Sequence, residues 1–147
     1  MARGSILEKN SGNGGYLLPV EKVTAAKTLD AVKDSGKLFT LDAAGGAYSL
    51  TLPTTLEVGT QYKLIVAEHT PSNAITIAAG SAIMFGKIAE SEVDTSDDNP
   101  GSSAATGISN LIIGTTAHQG DHVLIECDGK NWYFYGNSAV DGAFTTS

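Results

Sequence analysis

Short apolar segments with a period of two, separated by turn residues at intervals of roughly ten positions, most constrain the fold of this chain. Residues 48–52, 61–67 and 74–78 each alternate apolar side chains with polar or small ones. This alternation puts one set of side chains on each face of a strand. From residue 37 onward, about eight such strands follow one another without a convincing helix. The pattern predicts an all-β fold, either a compact antiparallel sandwich of jelly-roll-like form or a small barrel.

The chain has 147 residues, which suits a single domain with a sizeable core. Residues 1–16 are rich in Gly, Ser and Asn, which predicts a flexible N-terminal arm. We expect the β domain over residues 17–138 and a short, loose C-terminal tail over residues 139–147. Residues 90–106 contain five carboxylates followed by an Asn-Pro-Gly turn, so we expect a long acidic surface loop there.

A β-hairpin is predicted across Asp128 and Gly129, because Asp-Gly between two apolar segments is a strong local signal for a tight turn. A two-residue turn pairs Ile125 with Trp132. A bulge at Gly129 instead slips this pairing by one residue. The sequence leaves both registers open.

Four consecutive aromatic residues follow this turn, and they must alternate between the two faces of a strand. We expect Trp132 and Phe134 in the core, and Tyr133 and Tyr135 at a subunit or ligand interface. Cys127, the single cysteine, ends the preceding apolar strand, so a buried and unreactive thiol is expected.

The charge composition argues against nucleic acid as a partner. The formal net charge is −7, and Arg3 is the only arginine, so phosphate groups are repelled and an arginine cluster cannot form within one chain. No apolar stretch reaches the eighteen or so residues of a membrane-spanning helix. We also see no signal peptide, and we expect synthesis in the cytoplasm without membrane association.

The chain offers no recognisable set of catalytic or metal-binding residues. His118 and His122 have a spacing that places two ligands on one face of a helix, but Gly120 and a predicted strand break that face. The aspartates at 94, 97 and 98 lack the spacing of an EF-hand loop. No nucleophile motif or Ser–His–Asp trio stands out. We therefore expect a protein that is not an enzyme, with no catalytic, cofactor or metal site.

The order of strands resembles that of small virion structural proteins of tailed phages. These are head decoration (cement) proteins and the related head-fibre or tail-fibre modules. The resemblance extends from about residue 37 to residue 136, and the ending Asp-Gly, Asn, Trp-Tyr is its most recognisable part. The segments that carry it are 39–42, 48–53, 59–66, 73–78 and 120–135.

This resemblance implies a compact β domain, often a homotrimer, that binds the major capsid protein on the outer surface of the head after expansion. The head is thereby stabilised, and no cofactor takes part. Decoration proteins commonly attach through a terminal arm, so the expected partner contacts are Ile6, Leu7, Tyr16 and Leu17. Such an arm would add backbone hydrogen bonds to an exposed strand edge.

One alternative is a fibre or receptor-binding module that recognises host-surface glycans, motivated by the tyrosines and the loop over residues 90–106. That reading is less favoured, because a fibre protein usually needs a shaft or attachment region and only the short arm is present. A small hydrolase or isomerase on a jelly-roll scaffold is the least favoured, since the acid, base and ligand sets are absent.

Overall fold

The computed structural model describes residues 18–91 and 106–147. All helices and strands assigned in these ranges are β-strands, with no helix among them. The predicted arm over residues 1–16, and most of the acidic loop predicted over residues 90–106, lie outside the described residues. The strands are β1 (Val20–Val23), β2 (Lys27–Thr28), β3 (Leu38–Leu41), β4 (Tyr48–Thr51), β5 (Gln61–Val66), β6 (Ile75–Ala78), β7 (Met84–Glu90), β8 (Asn110–Ile113), β9 (His122–Cys127), β10 (Trp132–Ser138) and β11 (Phe144–Thr146).

The strands form two sheets that share one core, so the all-β prediction is confirmed and the arrangement is sandwich-like. The six-stranded sheet has the order β1-β3-β5-β9-β10-β7, and the five-stranded sheet has the order β11-β8-β6-β4-β2. Both sheets contribute to a single cluster of buried apolar side chains. Tyr62 is fully buried within this cluster, with its ring 6.2 Å from that of Phe39 and 5.9 Å from that of Trp132.

The first six strands alternate between the two sheets, and each one lies parallel to the strand two places earlier. Thus β1, β3 and β5 are parallel neighbours in one sheet, and β2, β4 and β6 are parallel neighbours in the other. The predicted antiparallel arrangement was wrong for this half of the chain. The spacing of turns along the sequence indicates where one strand ends and the next begins. It does not indicate which sheet the next strand joins, and here each of β2 to β6 joins the sheet opposite to the preceding strand.

Most of the later strands extend the two sheets through antiparallel pairs. β8 and β9 run antiparallel beside β6 and β5, β10 runs antiparallel beside β9, and β11 beside β8. β7 then forms an edge by pairing parallel with β10. The described residues thus contain eleven strands rather than about eight, and two of the additional ones, β1 and β2, precede residue 37.

The hairpin between β9 and β10 has a longer loop than either predicted register allows. Trp132 pairs with Cys127 and Phe134 with Ile125, so residues 128–131 form the loop and both predicted registers were wrong. The Asp128 carboxylate accepts hydrogen bonds from the backbone N–H groups of residues 130 and 131, which closes the longer loop. The shift is an even number of residues, so the faces are as predicted: Cys127, Trp132 and Phe134 are buried.

The C-terminal tail predicted over residues 139–147 is not a loose segment. Phe144–Thr146 forms β11 and pairs antiparallel with β8, placing Phe144 beside Ile113. Ala143 and Phe144 are fully buried. A strand of three residues is too short to show a period of two, so its only sequence signal was one aromatic side chain.

Candidate functional site

The outer face of the six-stranded sheet carries the most distinctive surface in the described residues. One row of cross-strand neighbours runs over the whole sheet and combines apolar side chains, an exposed tyrosine and two lysines. In sheet order, the row consists of Val20, Leu38, Lys63, Leu124, Tyr135 and Lys87. We call this row, together with the two rows that flank it, the basic face.

The flanking rows add few negative charges. One contains Gln61, Glu126, Tyr133 and Phe85, and the other contains Lys22, Thr40, Ile65, His122, Asn137 and Ala89. Glu126 is the only carboxylate in the three rows. Burial acts first to raise the pKa of Tyr135, and the neighbouring Glu126 raises it further, so this phenol stays neutral near pH 7.

A shallow groove crosses the basic face. Its main part has a volume of about 370 Å³ and is lined by Lys63, Lys87, Leu124 and Tyr135, together with His122 and Asn137. An adjoining depression of about 270 Å³ shares Lys63 and Leu124 and reaches Leu18. Lys63 and Lys87 lie three strands apart, which places their Cα atoms about 14 Å from each other. A flat ligand or protein segment with two negative groups would fit this spacing.

The two groove lysines have no carboxylate partner in residues 18–91 and 106–147. The ion pairs of this part of the chain use Lys22, Lys27 and Lys37 instead. Lys63 and Lys87 are both exposed. No carboxylate of the described residues therefore neutralises these two charges, which would attract a negatively charged partner.

A second groove has the opposite charge. It has a volume of about 310 Å³ and lies where the connections after β2 and β4 cross to the six-stranded sheet. Asp30, Val32, Pro53 and Glu57 line it, and no basic residue does. Backbone N–H groups of residues 33 and 32 donate to the Asp30 carboxylate and hold its pKa below the usual range, so it stays ionised near pH 7. We call this the acidic groove.

Four charged side chains form a network beside β1, and one of them, Lys37, also lines the depression that reaches Leu18. Asp34 is buried and accepts a hydrogen bond of 2.6 Å from Lys37, while Glu21 pairs with Lys27 and Lys37. Burial acts to raise the pKa of Asp34, but the lysine contacts and the Asp30 N–H outweigh it and leave this pKa below its ordinary value. Each charge is satisfied within the network, so its role is structural.

A carboxyl pair, Asp42 and Glu68, lies near the end of β3. Lys22 contacts Asp42 at 2.6 Å, and the Asp42 carboxylate raises the pKa of Glu68 by hydrogen bonding to it. Glu68 Oε1 is buried, and no N–H or O–H group of the described residues reaches it. The neighbouring Asp42 carboxylate and the burial of Glu68 therefore both disfavour ionisation of the Glu68 carboxyl group.

The three histidines do not form one cluster. His69 and His118 have exposed rings 6.4 Å apart between centroids, whereas His122 lies on the basic face and points Nδ1 at the Gly120 carbonyl. In the described ranges, no group of three or more His, Cys, Asp or Glu side chains is placed to hold a metal ion.

The residues predicted to contact a partner, Ile6, Leu7, Tyr16 and Leu17, all lie outside the described residues. Tyr133 and Tyr135 are exposed as predicted. Sequence reasoning missed Lys63 and Lys87 as a pair, because they are 24 positions apart and only the pairing β5-β9-β10-β7 brings them onto one row.

No family model matches this chain, and no curated protein matches it. In the described residues, no helix has the length and hydropathy needed to cross a membrane. The function of the chain therefore has to be inferred from its residues and their geometry.

Proposed function

We propose that this protein is a structural component of a tailed-phage virion, a decoration protein that binds the major capsid protein on the outer surface of the head. It is synthesised in the host cytoplasm and acts by stabilising the expanded head, without catalysis and without a cofactor. The resemblance in strand order, from about residue 37 to residue 136, suggests this class of protein. No nucleic acid or membrane contact is part of the proposal.

The observation that carries the proposal is the open edge of β1. This strand begins at Val20, directly after the first residues of the chain, and pairs with β3 on one side only. No strand of the described residues pairs with its other edge. An open edge offers backbone N–H and C=O groups to an added strand, which gives affinity with little demand on side chains.

The exposed residues at this edge support the same proposal. Leu18 and Val20 are among the most exposed large apolar side chains of the described residues. Attachment through the predicted arm, residues 1–16, and the β1 edge would cover them. Several copies bound around one local symmetry axis would strengthen a contact that is weak for each copy.

Binding to heads tests this proposal. The purified full-length chain is mixed with expanded heads that lack it, and co-sedimentation and the temperature of head disruption are measured. We expect binding at micromolar concentration and greater heat resistance. A chain without residues 1–16 serves as the matched variant, with its folding verified by the fluorescence of buried Trp132, and we expect its binding to be at least about tenfold weaker. Absence of binding by the full-length chain refutes the proposal.

A fibre or receptor-binding module is the second candidate, favoured by one observation. Tyr135 is 48 % exposed and lines the groove of the basic face beside Lys63 and Lys87. An aromatic ring flanked by cations suits a carboxylated sugar. Specific retention of the protein by such glycans on an array, lost in Tyr135→Ser, would support this candidate, and no retention would exclude it.

A further inference from the structure

The exposed large apolar side chains of the described residues fall into two groups with opposite electrostatic surroundings. The first group lies on or beside the basic face and consists of Leu18, Val20, Ile83, Tyr133 and Tyr135. The second group consists of Val32, which lines the acidic groove and is 66 % exposed, and Val58, which follows Glu57 and is 79 % exposed. Apolar patches with a charged rim are typical of protein interfaces.

The basic face and the acidic groove have opposite charges, so each is complementary to the other surface and not to a second copy of itself. On one side, Lys63 and Lys87 lack carboxylate partners in the part of the chain that the structure describes. On the other side, Asp30 and Glu57 line a groove without a basic residue. Two basic faces packed together would bring lysine against lysine, and two acidic grooves would bring carboxylate against carboxylate. A symmetric dimer through either surface is therefore disfavoured.

The grooves on the two surfaces share no lining residue. One copy can therefore use both surfaces at the same time. The groove on the basic face crosses the outer side of the six-stranded sheet, whereas the acidic groove lies at the connections after β2 and β4.

We infer that copies of this chain associate head to tail, with the basic face of one copy on the acidic groove of the next. A contact of this heterologous kind leaves one free surface at each end of a growing oligomer, and the oligomer is completed when a ring closes. The inference concerns self-association of the purified chain, so it holds or fails independently of binding to a phage head.

Charge reversal at the basic face gives the first test. The wild-type chain is expected to be oligomeric in light scattering coupled to size exclusion at about 100 μM, well above the Kd of a micromolar interface. Lys63→Glu with Lys87→Glu should weaken association by at least about tenfold. Ser49→Glu with Thr145→Glu is the control, because it adds negative charge at two exposed positions on the outer face of the five-stranded sheet, outside all three depressions. This control should remain oligomeric.

A complementation experiment tests the head-to-tail geometry itself. Glu57→Lys with Val32→Ser changes the acidic groove but leaves Asp30, which caps a turn through its backbone hydrogen bonds. At a concentration between the wild-type Kd and the weakened Kd, this variant and the basic-face variant should each be mostly monomeric alone. Mixed together, they retain one intact basic face and one intact acidic groove, so they should form a 1:1 dimer that does not grow further.

Three results would overturn the inference. The first is a monomeric wild-type chain at about 100 μM, whether or not its basic face then binds a glycan or another protein. The second is a basic-face variant as oligomeric as its control. The third is a mixture of the two variants that stays monomeric while both are shown to be folded by circular dichroism.

Discussion

Replacement of Phe144 by alanine tests whether the C-terminal segment is part of the core. The side chain is fully buried and its strand, β11, pairs with β8. Burial of an aromatic side chain removes roughly 200 Å² from water, which corresponds to about 5 kcal/mol and is an upper estimate. Phe→Ala substitutions in cores cost about 3–5 kcal/mol. For a chain of this length, that loss should lower Tm by about 6–20 °C.

The assay is urea or thermal unfolding followed by the fluorescence of Trp132, the only tryptophan, which is buried in the same core. Thr145→Ala is the matched control, because Thr145 is an exposed neighbour in the same strand, and its effect should stay within about 0.5 kcal/mol. If the Phe144 variant unfolds at the same midpoint as the control, the C-terminal segment does not pack into the core and its placement in the five-stranded sheet is wrong.

Three further substitutions test separate features, each measured by the same unfolding assay. Gly136→Ala should destabilise by about 2–4 kcal/mol, because the new Cβ would lie 2.1 Å from the His122 carbonyl oxygen, whereas Gly45→Ala, with open space around it, should be nearly neutral. An unchanged midpoint for Gly136→Ala would contradict the β9–β10 register. Asp34→Asn should cost about 2–4 kcal/mol at pH 7. The folded-state pKa of Asp34 is lowered, so its contribution to stability is present above the unfolded-state pKa and disappears as pH falls through the folded-state pKa. The stability lost in Asp34→Asn should therefore shrink in acid, and a stability loss independent of pH would refute this. Glu68 has a raised pKa in the folded state, so its stabilising contribution is complete below the unfolded-state pKa and is lost as pH rises through the folded-state pKa. Glu68→Gln should remove that decline, and a decline equal to the wild type would refute the raised pKa of Glu68.

The strands and their buried faces could be predicted from the sequence because they depend on local alternation. Leu50 and Leu52 are buried as their period of two indicates, and Trp132 and Phe134 are buried on one face of β10. The parallel winding could not be predicted in this way. A turn residue shows that the chain changes direction, but the sheet that the next strand joins depends on packing across the core.

The predictions of the hairpin register and of a loose C-terminal tail were wrong for different physical reasons. The Asp-Gly signal was correct for a turn, but the Asp128 side chain caps a longer loop than a two-residue turn allows. β11 pairs with β8 and buries Phe144, and both are tertiary contacts that leave no local sequence pattern. The groove on the basic face depends on pairing between distant strands, so Lys63 and Lys87 could be recognised as neighbours in one groove only after the sheet order was known.

The central proposal, that this protein is part of a phage virion, is tested most directly by its location. Electron cryomicroscopy of particles of the proposed source phage, compared with a mutant that lacks the chain, gives any position of the protein as a difference density. The proposal predicts density on the outer surface of the expanded head, above the capsid lattice. Density confined to the tail or its fibres, or no difference between the two particles, would contradict it.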